Sequence, residues 1–319
     1  MNYALLFPGQ GSQSLGMLSA LAEAYPVAAQ TWSEASQALG YDMAKLVNEG
    51  PVEDLNRTEK TQPALLAAGI AVWRVWQSHL NLDKNGLPAP AAFAGHSLGE
   101  YTALVAAGSL PFADALKLVQ LRGQLMQSAV PAGEGGMAAV IGLDEAGVEK
   151  LCAANPTGAV LEPVNYNAPG QIVVAGQAAA LEWLYANAKA QGARMAMKLP
   201  VSVPSHCSLM KPAAEKLMAQ LEKITFAKSA IPVLHNLDAQ VRSEADGIRT
   251  ALRDQLHKPV RWTQTVQNLK AQGIAAMFEC GPGKVLAGLN KRIDAGIKTI
   301  SLEDTAGLEQ ALQLVKGTA

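Results

Sequence analysis

The chain has 319 residues, of which 49% are hydrophobic and 17% are charged, and its formal net charge is -1. This composition excludes intrinsic disorder, which needs low hydrophobicity and high net charge, and the near-neutral balance argues against nucleic acid as a partner. A chain of this length can bury a full hydrophobic core, and it predicts either one large α/β domain or about two domains.

The cysteines and the apolar runs predict the cellular location of the protein. Cys152, Cys207 and Cys280 are scattered and form no Cys-x-x-Cys pair, so neither a disulfide framework nor a metal site is predicted. The first residues lack the basic and long apolar segments of a signal peptide. The longest nearly continuous apolar run, residues 64–73, is far shorter than the ~20 residues that span a bilayer. We therefore expect a cytoplasmic protein with no membrane partner.

The first part of the chain alternates predicted strands and helices. Residues 3–7 form a short apolar run stopped by Pro8-Gly9, which is typical of a buried strand. A second short strand is predicted over 91–94, and helices are predicted over 20–39, 61–79, 98–107 and 112–129. Strands that alternate with helices predict a parallel sheet with helical crossovers.

The pattern changes after the sequence Pro-Ala-Gly-Glu-Gly-Gly, which begins at Pro131 and indicates a linker. Strands are predicted over 137–143, 160–165, 172–175 and 194–199, and helices over 145–154 and 178–191. The resulting order, strand-helix-strand-strand-helix-strand, is that of the ferredoxin-like unit. We predict a small ferredoxin-like domain over 131–200, inserted into a large domain formed by 1–130 and 201–319. The large domain resumes with helices over 212–221 and 248–256 and strands over 231–236 and 276–279.

Ser97 is the candidate nucleophile. It stands in Gly95-His96-Ser97-Leu98-Gly99, a Gly-x-Ser-x-Gly pattern between a predicted strand and a predicted helix. This is the context of a nucleophile elbow, in which a strained turn exposes a serine oxygen at the start of a helix. The glycines are needed because a Cβ at either flank would meet neighbouring backbone. The alternative is a serine that only caps the following helix, but the context favours the nucleophile.

A serine nucleophile needs a base, and histidine is the usual one. Of the five histidines, His206 lies in a polar segment where the chain re-enters the large domain, and it is the best candidate. The alternative is a structural histidine that caps the next helix. His96 adjoins Ser97, but at a sharp turn its side chain should point away. Cys207 is a rival nucleophile, yet no elbow surrounds it, and we expect a buried free thiol.

The loop after the first strand is the candidate oxyanion site. Gly9-Gln10-Gly11 exposes backbone N–H groups, because its glycines allow the backbone to approach a ligand. An oxyanion hole of this kind pairs the N–H after the nucleophile, here that of Leu98, with one from another strand–helix loop, here that of Gln10. The rival interpretation is a dinucleotide site, but Ser14 replaces the third glycine of that fingerprint.

Arg122 is the most informative charged residue. It follows Val119 by three positions and precedes Met126 by four on the apolar stripe of the helix over 112–129, so its guanidinium should face inward. A buried guanidinium needs a partner, because an unpaired buried charge is very costly. Either an internal Asp or Glu or a ligand carboxylate supplies that partner, and the planar guanidinium can bind a carboxylate through two hydrogen bonds.

Six short sequence blocks are distributed along the chain, and the resemblance that they carry runs from about residue 3 to 316. They are GQGSQ at 9–13, GHSLGEY at 95–101, LVQLRGQLM around Arg122, PVSVPSHCSLM at 200–210, QLHKPVRW at 255–262 and ECGPGKVL at 279–286. In their order and spacing they resemble the malonyl-CoA:acyl carrier protein transacylases, the acyltransferases of type II fatty acid synthesis. The resemblance implies an α/β-hydrolase-like core with a parallel sheet plus an inserted ferredoxin-like small domain.

The resemblance also implies roles for single residues. Ser97 matches the acylated serine, and His206 matches its base. Gln10 and Leu98 match the two backbone donors of the oxyanion hole. Gln255 matches a position whose backbone carbonyl orients the histidine, replacing the acid of a catalytic triad.

The same resemblance implies the substrates. Arg122 matches the residue that pairs with the malonyl carboxylate, and Asn165 and Met126 are expected beside the pocket. The implied reaction is a ping-pong transfer of malonyl from malonyl-CoA to the phosphopantetheine thiol of acyl carrier protein, with no cofactor and no metal. The alternatives are a discrete polyketide-type or malonate-decarboxylase malonyltransferase, a serine thioesterase or esterase, and a carrier-binding protein without activity.

Overall fold

The structure is a computed structural model that describes residues 1–80, 86–201 and 203–317. Its strands are β1 (Tyr3–Phe7), β2 (Ala92–Gly95), β3 (Gly135–Ile141), β4 (Leu161–Ala168), β5 (Gln171–Gln177), β6 (Met195–Lys198), β7 (Val233–Leu234), β8 (Ala276–Glu279) and β9 (Lys298–Ser301). Its helices are α1 (Ser19–Ala24), α2 (Pro26–Leu39), α3 (Met43–Glu49), α4 (Val52–Leu55), α5 (Thr58–Ser78), α6 (Leu98–Ala106), α7 (Phe112–Ala129), α8 (Glu145–Ala153), α9 (Ala178–Asn187), α10 (Lys211–Leu221), α11 (Ala245–Gln255), α12 (Trp262–Ala271), α13 (Val285–Ile293) and α14 (Thr305–Lys316). Within these ranges no helix combines the length and the hydropathy that a bilayer crossing requires.

A parallel sheet forms the centre of this mixed α/β protein. Its strand order is β7-β2-β1-β8-β9, and each neighbouring pair is parallel. Strand β1 is buried along its whole length, which accounts for its uninterrupted apolar sequence. Phe7 pairs with Gly95, so the loops after β1 and β2 leave the sheet side by side. Ligand sites in open parallel sheets lie at the carboxyl ends of the strands, and both candidate loops are at that edge.

Helices α5 and α7 pack against each other beside this edge. Helix α5 is buried along most of its length, and Pro63 lies in its first two turns. The inward face of α7 includes Val119, Arg122 and Met126, as the spacing of its apolar residues predicts. The two helices therefore bring polar side chains of their buried faces close to the end of β2.

A second sheet is antiparallel, with the order β4-β5-β3-β6. Its strands and the helices α8 and α9 enclose a hydrophobic cluster of their own. Two backbone hydrogen bonds join its outer strand to the segment before α12: Val260 N–H donates to Val164 C=O at 2.8 Å, and Tyr166 N–H donates to Val260 C=O at 3.0 Å. The antiparallel sheet is therefore attached along this edge to the segment leading into α12, and residues of that segment share a hydrophobic cluster with the parallel sheet.

The predicted alternation of elements is present, with some differences. The helix predicted over 20–39 is two helices, because Pro26 begins α2 and has no N–H with which to continue α1. The strand predicted over 231–236 is reduced to Val233–Leu234. Helices α3 and α4 have seven and four residues, too few to display a helical period in the sequence. Helices α12, α13 and α14 and strand β9 were also not predicted.

Candidate active site

Ser97 lies in the sharp turn between β2 and α6. Its φ is 52°, a left-handed conformation that a non-glycine residue adopts only where the surrounding structure enforces it. The two flanking glycines permit the turn, since a Cβ at Gly95 would lie 1.9 Å from the Gly99 carbonyl carbon and a Cβ at Gly99 would lie 1.9 Å from the Phe7 oxygen. The Ser97 N–H donates to Asn236 Oδ1 at 2.7 Å. The strained turn is thus held by an amide from the end of β7.

His206 is within hydrogen-bond distance of the serine. The distance from Ser97 Oγ to His206 Nε2 is 2.8 Å, and His206 Nδ1 lies 2.6 Å from the backbone carbonyl of Gln255. A carbonyl oxygen can only accept, so Nδ1 carries the proton and Nε2 is left to accept from the serine hydroxyl. Gln255 is the last residue of α11, where carbonyls have no helical N–H partner. The pair therefore has the geometry of a nucleophile and its base.

The imidazole of His206 is neutral in this setting. Its ring is buried, and burial together with the nearby Arg122 guanidinium lowers the pKa of His206 to about 3. Both causes disfavour a second positive charge in a poorly solvated cavity. At neutral pH the ring is consequently in the state that can take up a proton.

Two residues whose backbone N–H groups have no partner within the described chain line the same cavity as the serine. Leu98 is the first residue of α6 and Gln10 follows β1, and both residues line the cavity. In the described part of the chain, neither N–H has a hydrogen-bond partner. The first N–H groups of a helix have no helical acceptor and carry the positive end of its dipole. The two groups are suited to bind an oxygen on which negative charge develops.

Arg122 is buried, with 1% of its surface exposed, and it has no acidic partner within ion-pair distance among the described residues. Its Nη1 donates to Gln62 Oε1 at 2.9 Å, and its Nη2 donates to Gln255 Oε1 at 3.0 Å and to Ser97 Oγ at 3.3 Å. Burial lowers the pKa of this guanidinium from its usual value. The sequence allows either an internal carboxylate or a ligand carboxylate as the partner of Arg122, and the described residues do not supply the internal one. The guanidinium lies beside the serine oxygen and is held by neutral amides.

The cavity lies between the two sheets. Its lining combines Met126 from α7 with Met137 and Asn165 from the antiparallel sheet. The Asn165 Oδ1 is buried and has no hydrogen-bond partner. The remaining lining residues are Gln10, Thr58, Gln62, His96, Ser97, Leu98, Arg122, Leu199, Val201, Val203, Ser205 and His206. Across the described residues, no three His, Cys, Asp or Glu side chains are grouped so that they could hold a metal ion.

Several of these contacts were not anticipated from the sequence. Gln62, which binds Arg122, is the last of five consecutive polar residues that begin α5, and that run does not by itself mark Gln62 as a site residue. Asn236 ends a predicted strand, which places it at the carboxyl edge of the sheet. His96 bonds through Nε2 to Asn167 Oδ1 at 2.8 Å and at the same time lines the cavity.

Cys207 is next to the candidate base, but its thiol is not reactive. Burial raises the pKa of Cys207 to about 12, so the thiol stays protonated at neutral pH. Its Sγ donates to the Pro204 carbonyl at 3.1 Å. This agrees with the expected buried free thiol, since only a thiolate is a good nucleophile.

Known proteins are similar to this chain in sequence and in fold. A family model described as the acyl transferase domain matches residues 4–304, which is most of the chain. The chain therefore belongs to the acyl transferase family.

Relatives define the branch of that family. The malonyl CoA-acyl carrier protein transacylase of Salmonella typhimurium is 53% identical over 310 residues, 97% of this chain and 98% of the relative. The crystal structure of an acyl carrier protein S-malonyltransferase from Vibrio cholerae is 52% identical, with a TM-score of 0.93 over 98% of this chain and 100% of that one. A malonyl-transacylase in complex with a type II PKS acyl-carrier protein is 51% identical, with a TM-score of 0.95 over the same shares. The chain is thus grouped with the malonyl CoA-acyl carrier protein transacylases.

Proposed function

We propose that this protein transfers a malonyl group from malonyl-CoA to the phosphopantetheine thiol of acyl carrier protein, in two steps through a malonyl-serine. The observation that carries the proposal is the position of the buried Arg122 guanidinium, 3.3 Å from the oxygen of Ser97 and without an acidic partner among the described residues. A substrate with an acyl carbon at the serine and a free carboxylate farther along would satisfy that charge. The names of the relatives support both substrates.

In the first step His206 Nε2 takes the hydroxyl proton as Ser97 Oγ attacks the thioester carbon of malonyl-CoA. The carbonyl oxygen becomes an oxyanion bound by the N–H groups of Leu98 and Gln10. When the tetrahedral intermediate collapses, the bond to sulfur breaks and the CoA thiolate receives the proton from His206. The Gln255 carbonyl keeps the imidazole in the required tautomer throughout, and it stabilises the transient imidazolium.

The second step runs in the opposite direction with a different thiol. The phosphopantetheine thiol of the carrier protein gives its proton to His206, and its sulfur attacks the acyl carbon of malonyl-Ser97. The same two N–H groups bind the oxyanion. As the ester bond breaks, Ser97 Oγ recovers its proton from His206. The enzyme is regenerated without any cofactor in this scheme.

Selection of the acyl group follows from Arg122. The malonyl carboxylate can accept two hydrogen bonds from the planar guanidinium. An acetyl group offers no such acceptor and would leave the buried cation without an anionic partner. Sites built to bind a polar substrate group reject analogues that lack it strongly. Asn165 and Met126, on the cavity wall, are proposed to contact the bound acyl chain.

Intact-protein mass spectrometry tests the proposal directly. The enzyme is mixed with malonyl-, acetyl- or methylmalonyl-CoA, and holo acyl carrier protein is then added. We expect the mass of one malonyl group on the enzyme, its transfer to the carrier, and little or no acetyl adduct. A malonyl adduct that water removes rapidly, before any carrier is added, would indicate the hydrolase alternative instead.

A second candidate function differs from the first only in the carrier protein that accepts the malonyl group. One of the similar structures is a malonyl-transacylase bound to an acyl carrier protein of a type II PKS, so a polyketide-type partner is also supported. Rates of transfer to a fatty acid carrier and to a polyketide carrier would rank the two. Nothing in the cavity favours the malonate-decarboxylase alternative.

The finer description of the fold is also a proposal. We propose an α/β-hydrolase-like large domain of 1–130 and 201–319 with a ferredoxin-like small domain of 131–200. The antiparallel order β4-β5-β3-β6, with two helices and a separate hydrophobic cluster, supports the small domain. The serine turn after a parallel strand supports the large one. The cytoplasmic location stays a prediction.

A further inference from the structure

Glu100 is a buried carboxylate next to the active site that does not line the cavity. It lies in the first turn of α6 with 1% of its surface exposed. Its two oxygens accept three hydrogen bonds. Oε1 accepts from His235 Nδ1 at 2.6 Å, and Oε2 accepts from the Asn236 N–H at 2.9 Å and from Gln255 Nε2 at 2.8 Å. One side chain therefore joins the start of α6, the end of β7 and the end of α11.

The first consequence concerns Arg122. The Gln255 NH₂ group donates to Glu100 Oε2 and also to the Ser97 carbonyl at 2.9 Å, so the Gln255 Oε1 must face the other way, towards the guanidinium. A flipped amide would direct two donors at each other. Glu100 thus fixes the Gln255 oxygen as an acceptor for Arg122. It also supplies a negative charge one amide away from the buried cation, which leaves the guanidinium able to receive a substrate carboxylate.

The second consequence concerns the serine turn. The backbone N–H of Asn236 is bound to Glu100, and the Asn236 side chain spans the turn. Its Nδ2 donates to the Gly95 carbonyl at 2.6 Å, and its Oδ1 accepts from the Ser97 N–H at 2.7 Å. The left-handed conformation of Ser97 is strained, so it persists only while such contacts hold it.

The third consequence concerns the base. Gln255 takes part in two contacts. Its side chain donates to Glu100, and its backbone carbonyl accepts from His206 Nδ1. Glu100 thus holds the residue at the end of α11 that also carries the acceptor of the imidazole.

We infer that Glu100 is a positioning residue for acyl transfer, which acts through Gln255 and Asn236 to align the nucleophile, the base and the carboxylate-binding arginine at once. The inference rests on the proposed malonyl transfer. A carboxylate is required because three donors converge on two oxygens that carry only lone pairs. A glutamine would remove the negative charge and turn an NH₂ group towards one of the three donors, a buried mismatch that only a change of the His235 tautomer could relieve.

The test is Glu100→Gln, with Glu279→Gln as a matched control. Glu279 is also buried and also accepts hydrogen bonds through both oxygens, from the backbone N–H groups of Leu286 at 3.0 Å and Ala287 at 2.9 Å, but it caps α13 and does not line the cavity. The folded fraction of each variant is measured by circular dichroism. Acylation rates with malonyl-CoA and acetyl-CoA are then measured per folded enzyme.

We expect Glu100→Gln to lower kcat for malonyl acylation at least about tenfold and to lower the ratio of malonyl to acetyl kcat/KM several-fold, since both the base and Arg122 lose their alignment. Glu279→Gln should change both quantities by less than about threefold, because a residue remote from the site affects stability rather than the transition state. A merely structural role for Glu100 would lower the melting temperature and leave the ratio unchanged.

A second variant covers the case in which Glu100→Gln does not fold. Gln255→Met removes all three hydrogen bonds of the side-chain amide but keeps the backbone carbonyl that binds His206. It should lower the malonyl to acetyl ratio by itself. Where Glu100→Gln does fold, the effects of the two substitutions should be less than additive in the double variant, because Glu100 acts through Gln255.

The outcomes separate the two proposals. The role of Glu100 would be overturned, and the proposed reaction left standing, if Glu100→Gln folds and keeps the wild-type acylation rate and malonyl to acetyl ratio. A wild-type malonyl to acetyl ratio in Gln255→Met would have the same meaning. A wild-type enzyme that forms no malonyl adduct would overturn the reaction itself, and the inferred role with it.

Discussion

The two walls of the cavity are built differently. One wall carries Ser97 from the turn after β2, Arg122 from α7 and His206 from the loop before α10, and their polar atoms are joined by hydrogen bonds of 2.8 to 3.3 Å. The wall formed by the antiparallel sheet and by the residues directly after it, up to Val203, is mostly apolar, with Met137 and Val201 among its side chains. The first wall supplies groups that react or bind charge, and the second excludes water and limits volume. In a poorly solvated site, each polar contact of the first wall is correspondingly strong.

The largest effect is expected at the nucleophile. Ser97→Ala removes the oxygen that becomes acylated, so no malonyl adduct should form and transfer to the carrier should fall to background. Mass spectrometry after mixing with malonyl-CoA checks this. Ser128→Ala, an exposed serine on α7, is the control and should acylate normally. An adduct of undiminished yield on the Ser97 variant would exclude this serine as the nucleophile.

Arg122→Ala tests the charged part of the same wall. We expect the kcat/KM ratio for malonyl-CoA over acetyl-CoA to fall about a hundredfold, because a buried charge-assisted contact is worth about 2–5 kcal/mol. Arg74→Ala is a suitable control, since that guanidinium pairs with Glu34 at 2.7 Å outside the cavity. A malonyl preference that survives Arg122→Ala would show that another group binds the carboxylate.

The pH dependence tests the state of the base. Because burial lowers the pKa of His206 to about 3, the imidazole should stay neutral well below the ordinary value of about 6.5. We expect kcat/KM for malonyl-CoA to remain nearly constant between pH 8 and about 5. A fall centred near pH 6.5 in the free enzyme would contradict the buried, neutral histidine.

The same pKa has a consequence for stability. Between about pH 6.5 and 3 the unfolded chain binds a proton at this histidine and the folded chain does not, so the free energy of unfolding should decrease as the pH falls through that window. Denaturant titrations of the wild type and of His206→Gln at several pH values measure this decrease. The free energy of unfolding of the variant should depend less steeply on pH, whereas an equal dependence in both proteins would argue against the lowered pKa.

The smallest effect is expected on the apolar wall. Val201→Ala removes contact area but no side-chain hydrogen bond, so kcat for malonyl acylation should change by less than about threefold. If either constant changes more than this, it should be KM. Steady-state kinetics with malonyl- and methylmalonyl-CoA check this. A tenfold loss of kcat would mean that this wall also takes part in aligning the reacting groups, and the contrast between the two walls would then be wrong.

The sequence predicted much of the reactive wall because its chemistry depends on local patterns. A glycine on each side of Ser97 marks a strained turn, and the position of Arg122 on an apolar stripe indicates an inward charge. The order of elements in the inserted segment could likewise be read from the alternation of its apolar residues. These signals can be read from the sequence because each one lies within a single turn, helix or strand, a stretch of at most about twenty residues.

The supporting contacts could not be predicted in this way. Gln62, Asn236 and Glu100 reach the site from separate elements, and their partners are far away in the chain. The bond between Asn236 and Ser97, for example, joins residues 139 positions apart. A pattern along the sequence does not show which polar side chains will meet in three dimensions, nor which atom of a glutamine will face an arginine.

The backbone bonds between Val260 and β4 bear on how two carriers of very different size share one active site. Moving the outer strand away would break both bonds, each of which contributes about 1 kcal/mol, so the structure favours the present position of that strand. We therefore expect the nucleotide and the carrier protein to bind outside the cleft, and only the pantetheine arm that both share to enter it. Donor and acceptor could then be exchanged without separation of the two sheets.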